Sequence, residues 1–195
     1  MKKFILFSII VLFLGCAGSP PVKNPQTTKS NPPQQCLIEN VPLYVQLPGE
    51  CGSTSLRMVL NFYGKNLSQE EVDRARRGKL LSISDMESYV RMQGFEVYSF
   101  YDHKKEEMKF LLAQGYPLIV FGVKPSNWPW GGGQRFVGEG HFVVVLGYDD
   151  LKKIFIIHDP GSGVRMEVRY DIFKEFHDSS SYEPFYVLCI YPKGK

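Results

Sequence analysis

Gln46-Leu47-Pro48-Gly49-Glu50-Cys51-Gly52-Ser53-Thr54-Ser55-Leu56 joins an extended approach, a Pro-Gly turn and a cysteine at the threshold of a helix. Pro48 and Gly49 are turn formers. Downstream, Leu56, Val59, Leu60 and Tyr63 recur at i, i+3, i+4 and i+7, the spacing of one apolar helix face, and Gly64 is a helix stop. A cysteine attacks as its thiolate, and a helix N-terminus supplies positive potential and free backbone N–H groups that favour that form. Cys51 stands where both converge.

Working outward, two capping-box patterns, Ser68 with Glu71 and Ser84 with Glu87, predict the next two helices, the second ending at Gly94. Residues 95–100 read as a strand, 104–114 as a helix closed by Gly115, and 117–123 as a strongly apolar strand. A loop rich in Gly and Trp spans 124–140. Strands over 141–147 and 153–158 are joined by a turn around Asp149-Asp150. A segment at 164–170, a short helix at 171–176 and a final strand at 184–191 complete the chain. Helices come first and a mostly antiparallel sheet follows, so the fold class is α+β, with the Cys51 helix packed on the sheet.

A thiolate nucleophile needs a base. Of the four histidines, His141 opens an apolar strand directly after the glycine-rich loop, where a positioned functional side chain belongs. With the turn centred on Asp150, cross-strand partners sum to about 300, which sets His141 opposite Asp159 with Cβ atoms about 4.5–5.5 Å apart. A slip of one residue would turn the pair to opposite faces. In the favourable register Asp159 fixes the imidazole tautomer and stabilises the imidazolium. Gln46, across the Pro-Gly turn from Cys51, can aim its amide at an oxyanion beside a backbone N–H. Nucleophile, base, orienting carboxylate and oxyanion donor are then all present.

Other residues receive plainer readings. His158 faces away from Asp159 by strand alternation and is structural, and neither His103 nor His177 has a helpful context. No two Cys or His residues have metal-ligand spacing, so neither a metal nor a cofactor is expected. Trp128 and Trp130, beside Gly131-Gly132-Gly133, and Gly140 are candidates for the wall or lid of a substrate groove; the alternative is a loop with aromatics packed on the sheet. Cys36 and Cys189 sit near the two ends of the folded part and are candidates for a disulfide, the alternative being one terminal and one buried thiol.

Composition bounds the rest. With 195 residues, 44% hydrophobic and 14% aromatic, the folded part is one globular domain. The net charge of +3 falls to +1 without Lys2 and Lys3, 21 basic against 20 acidic residues, a balance that argues against nucleic acid as partner. Met1-Lys2-Lys3 followed by an apolar run at 4–14, too short for a membrane span, reads as an export signal. Gly15-Cys16 resembles the bacterial lipobox, although Phe13 stands where leucine is usual. Residues 1–15 are then a signal peptide and Cys16 the lipidated first residue of the mature chain, held to a membrane. Ala17 is not the aspartate that resembles an inner-membrane retention signal, which implies the outer membrane facing the periplasm in a Gram-negative source. Residues 16–35 are rich in Pro, Ser, Thr, Asn and Gln and read as a disordered tether; residues 36–195 form the folded, monomeric domain.

Three separated motifs, Gln46-Leu-Pro-Gly-Glu-Cys51-Gly52-Ser-Thr-Ser55-Leu56, Gly140-His141-Phe-Val-Val-Val and Asp159-Pro160-Gly-Ser-Gly163, resemble the bacteriocin-processing, double-glycine cysteine peptidases over roughly residues 41–191. The resemblance implies a papain-like fold, with catalytic roles on Cys51, His141 and Asp159 and the oxyanion role on Gln46. It implies a peptide or protein substrate, hydrolysed through a thioester, at double-glycine-like sites. The chain departs from that family in carrying Glu50, where aspartate or asparagine is frequent, in a longer 124–140 loop, and as a stand-alone lipoprotein without transporter segments. Two other functions compete: acyl or peptidyl transfer on the same triad, and non-catalytic peptide binding by a lipoprotein that keeps the groove.

Overall fold

A computed structural model describes residues 31–76, 81–101, 103–129, 140–178 and 186–193. Cys16, Trp130, Gly131–Gly133 and the signal segment lie outside the described residues. The elements are β1 (Gln35–Leu37), α1 (Cys51–Phe62), α2 (Gln69–Asp73), α3 (Ile83–Met92), β2 (Phe95–Tyr101), α4 (Lys105–Ala113), β3 (Leu118–Val123), β4 (Gly140–Asp149), β5 (Ile154–Asp159), β6 (Val164–Arg169), α5 (Tyr170–Asp178) and β7 (Tyr186–Pro192). The strands form one sheet in the order β2-β7-β3-β4-β5-β6, with β1 added to β4, and every pairing is antiparallel. The fold is α+β.

The last strand lies inside the sheet, between β2 and β3, which explains why Tyr186 to Ile190 are all buried rather than alternating. The helix α1 packs against β3 and β4 through the face that its apolar spacing predicts: Leu56, Val59 and Leu60 are fully buried. Its first turn is also inside, although Ser53, Thr54 and Ser55 are polar. The Gln69 amide closes much of that polarity, its Nε2 donating to Ser53 Oγ at 2.9 Å and its Oε1 accepting from Thr54 Oγ1 at 3.4 Å. The short α2, capped by a complete Ser68–Glu71 box, thus holds the start of the cysteine helix in place.

Three expectations need correction. The helix α3 is capped by Ser82, whose hydroxyl accepts from the Asp85 N–H at 3.2 Å, so the Ser84–Glu87 box does not form. Glu87 instead accepts from Ser99 and Tyr186, partners that sequence spacing does not reveal. Cys36 and Cys189 do not form a disulfide: Cys189 is a free, fully buried thiol. The two residues sit on strands that do not adjoin, β1 on β4 and β7 between β2 and β3.

The third correction concerns the β4–β5 register. The turn is centred later than expected, between Leu151 and Lys152, and near it partners sum to 303, as in Tyr148 with Phe155. Continued unbroken, that register would put His141 and Asp159 on opposite faces. A bulge between Val145 and Gly147 shifts the sum to 302, seen in Val144 with His158. Asp159 therefore lies level with Val143, and His141 is two residues along on the same face. The pair meets diagonally rather than directly, a geometry that long side chains span.

The close approach of α5 to the sheet depends on Gly122, the partner of His141 across β3 and β4. A Cβ there would lie 2.3 Å from the Phe176 carbonyl oxygen and 2.7 Å from its ring. Gly122→Ala should destabilise the protein by about 1–3 kcal/mol through overpacking, read as a lower urea midpoint with an unchanged denaturant slope.

Candidate active site

The chain delivers three side chains to one place by three different routes. Cys51 is the first residue of α1, where the Pro48-Gly49 turn ends, and Gly49 takes the positive φ of 82° that the turn requires. Cys51 as a residue is half-buried. His141 is the second residue of β4, and Asp159 the last of β5. The His141 Nε2 and Asp159 Oδ1 are 2.8 Å apart, and the His141 side chain also acts on the Cys51 thiol. The Gln46 N–H donates to the Pro160 carbonyl at 3.0 Å, tying the strand before the cysteine to the loop after the aspartate. Gln46 Oε1 is buried and has no hydrogen-bond partner among the described residues. A buried amide end without a partner is costly unless something arrives to meet it.

The carboxylate of Asp159 is fully buried and saturated with donors. Oδ1 accepts from His141 and from the Gly161 N–H at 2.7 Å, with Ser162 N–H further off at 3.4 Å. Oδ2 accepts from the Trp128 indole N–H at 3.1 Å and the Lys124 ammonium at 2.9 Å. Trp128 stacks against Phe176, with ring centroids 4.5 Å apart, and is 5% exposed. It therefore backs the aspartate and does not wall an open groove. Lys124 was not legible as a site residue. Its one signal is positional: it follows directly on Val123, which pairs with Gly140 beside His141.

Burial alone would push the Cys51 thiol up, but the hydrogen bond and charge of His141, followed by the backbone N–H groups of Phe142 and Gly52, outweigh it and hold the thiol below its ordinary value. Burial likewise pulls His141 down, yet hydrogen bonds to Asp159 and Cys51, and their charges, raise it overall. Against the burial that would raise it, Asp159 is held well below the usual carboxylate range by His141 and Lys124. Both shifts favour the charged forms, thiolate for Cys51 and imidazolium for His141. His158, by contrast, is buried, hydrogen-bonds the Pro42 backbone and falls to about 4, chiefly through desolvation; it faces away from the cluster, as alternation predicts. A separate cleft of about 480 Å³ across β1, β4, β5 and β6 shares no residue with the Cys51 cluster.

A cysteine at a helix N-terminus, facing a histidine on the adjoining antiparallel sheet, defines a papain-like cysteine peptidase by class. Residues 38–189 match the model of the Peptidase_C39 like family, and the chain belongs to that family. Among solved structures, a double glycine motif protease from an AMS/PCAT transporter, crystallised with its leader peptide, shares 23% identity over 79% of this chain and 93% of its own, with a TM-score of 0.56. A C39-like peptidase from Bacillus anthracis aligns at 16% identity, 84% and 100% coverage and a TM-score of 0.63. Xylellain, a cysteine protease from Xylella fastidiosa, aligns at 14% identity, 83% and 87% coverage and a TM-score of 0.57. At these identities the likeness is one of fold. No curated protein sequence matches the chain.

The depressed Asp159 carboxyl links the site to stability. Between its folded value and the ordinary value of about 3.9, the unfolded chain binds more protons, so stability rises with pH there. Wild-type protein should lose stability as pH falls below about 4, and Asp159→Asn should lack that acid slope. The variant should also be about 3–5 kcal/mol less stable at neutral pH, because Lys124 is left buried without its anion. Urea midpoints across pH measure both effects.

Proposed function

We propose that the protein hydrolyses peptide bonds through a Cys51–His141–Asp159 triad and a thioester intermediate. The observation that carries this reading is the His141 ring, which bonds Asp159 Oδ1 at 2.8 Å and acts on the Cys51 thiol so as to favour its ionised form. Cys51 Sγ attacks the carbonyl carbon of the scissile amide as thiolate. The oxygen that becomes negative is met by the N–H donors of the Gln46 side-chain amide and of the backbone at the start of α1. His141, as imidazolium, protonates the departing amine; it then takes a proton from water, which attacks the thioester and frees Cys51.

The leader peptide bound by the transporter protease motivates a substrate of the same type: an extended peptide cleaved after a double-glycine-like pair. Transfer to an acceptor amine on the same thioester is the nearest competitor, and product analysis with an added amine separates the two. A module that only binds peptides has no use for a thiol whose ionisation is assisted. The reading extends to location. Cleavage before Cys16 and lipidation of that residue would hold the peptidase at a membrane beyond the cytoplasm, and metabolic labelling with palmitate should mark wild type and not Cys16→Ala.

Peptides carrying internal Gly-Gly or Gly-Ala pairs, followed by mass spectrometry, test the activity. Cys51→Ala should reduce turnover to background with an unchanged fold, and Gln46→Ala should lower kcat about 10²–10³-fold, the size of one lost oxyanion donor. Full turnover by Cys51→Ala would contradict the assignment.

A further inference from the structure

Lys124 is a charge where a buried site has little room for one. Its side chain is 9% exposed and that of its partner Asp159 is 1% exposed, so the two ions compensate each other without much help from water. The ammonium also stands close to the histidine: a Cβ added at Gly161 would lie 3.4 Å from Lys124 Nζ and 3.2 Å from His141 Cε1, so the two atoms flank the same small space. No path through the aspartate is needed for Lys124 to act electrostatically on the ring.

We infer that Lys124 is a positioning residue of the site, a fourth buried charge that sets how tightly His141 holds its proton. This rests on the proposed triad. With Cys51 as thiolate, His141 as imidazolium, Asp159 as carboxylate and Lys124 as ammonium, the cluster is neutral. Without Lys124 it carries one net negative charge in a region largely closed to water, where uncompensated charge is expensive. The imidazolium would then be held too firmly to pass its proton to a leaving amine. Geometry points the same way. Lys124 and Trp128 both occupy Oδ2, which turns Oδ1 toward His141. Register brings Lys124 there, since Val123 pairs with Gly140 and Gly122 with His141. The charged and titratable groups facing His141 are Cys51 from α1 and Asp159 from the end of β5, with Lys124, from beyond β3, across the small space at Gly161. Near the start of α1, Glu50 is engaged by Arg76 at 3.5 Å, and Arg76 also by Asp73 at 3.2 Å. His158 points to the opposite face.

The test needs no substrate. Iodoacetate is an anion, and its reaction with Cys51 depends on both the thiolate and the neighbouring imidazolium, so the rate falls on the acid side as the thiolate protonates and on the alkaline side as His141 loses its proton. Rates are read on Cys51 by mass spectrometry of the full chain. In Lys124→Met the alkaline limb should move up by about one pH unit, the size of one removed like charge, and Lys124→Arg should return it to the wild-type position. Unmoved limbs in Lys124→Met overturn the inference even if that variant is less stable, because lost packing alone does not move them. Should Lys124→Met fail to fold, the wild type supplies the answer: the Lys124 Nζ resonance must shift at the pH where His141 titrates, and a resonance indifferent to that titration overturns the inference. A wild type with no bell-shaped profile overturns the triad and this inference together. A wild-type bell that Lys124→Met leaves in place overturns this inference alone.

Discussion

The Asp159 carboxylate is the constraint on which the rest of the site depends. It is wholly buried, and an isolated buried carboxylate is unstable unless donors surround it. Here they come from three stretches of chain: His141 in β4, Lys124 and Trp128 beyond β3, and the Gly161 and Ser162 N–H groups of its own loop. Each donor is therefore also a tie between segments. The Gln46 to Pro160 backbone bond adds the strand that leads to Cys51. The aspartate organises the loops around the site as much as it orients the histidine.

This arrangement accounts for features that look unrelated in the sequence. Gly122 lets α5 close against the sheet, α5 presents Phe176, Phe176 supports Trp128, and Trp128 holds Oδ2. On the other side, α2 and the Gln69 amide satisfy the buried polar first turn of α1, which fixes where Cys51 begins its helix. Packing far from the thiol thus determines the angle at which it meets the imidazole, and rigid elements hold a reactive pair more accurately than loops can.

Much of this was legible in the chain, for definite reasons. Cys51 at a helix start follows from the Pro-Gly turn and the Leu56, Val59, Leu60 spacing, both local signals. His141 on a strand after a glycine-rich loop is local as well. The meeting of His141 with Asp159 follows from the sequence only through a register that the protein does not use: the later turn changes the parity and the bulge restores it. A bulge near the middle of an apolar strand such as Val143-Val144-Val145-Leu146 leaves no mark in residue types. Lys124 and the inward turn of Trp128 were not legible, because their roles come from a carboxylate 35 and 31 residues further along. The Ser82 cap lies two residues before an equally good capping pattern, and only tertiary packing of Glu87 against Ser99 and Tyr186 decides between them.

The central claim is that Cys51 and His141 form a thiolate–imidazolium pair before any substrate arrives. Its most direct measurement is the pH dependence of Cys51 alkylation by a neutral reagent, resolved from the other cysteines by mass spectrometry, in wild type and in His141→Ala. The account predicts a Cys51 pKa well below the ordinary thiol value of about 8.5 in wild type, rising in the variant as the histidine's hydrogen bond and charge are lost. An identical, ordinary titration in both proteins would contradict it.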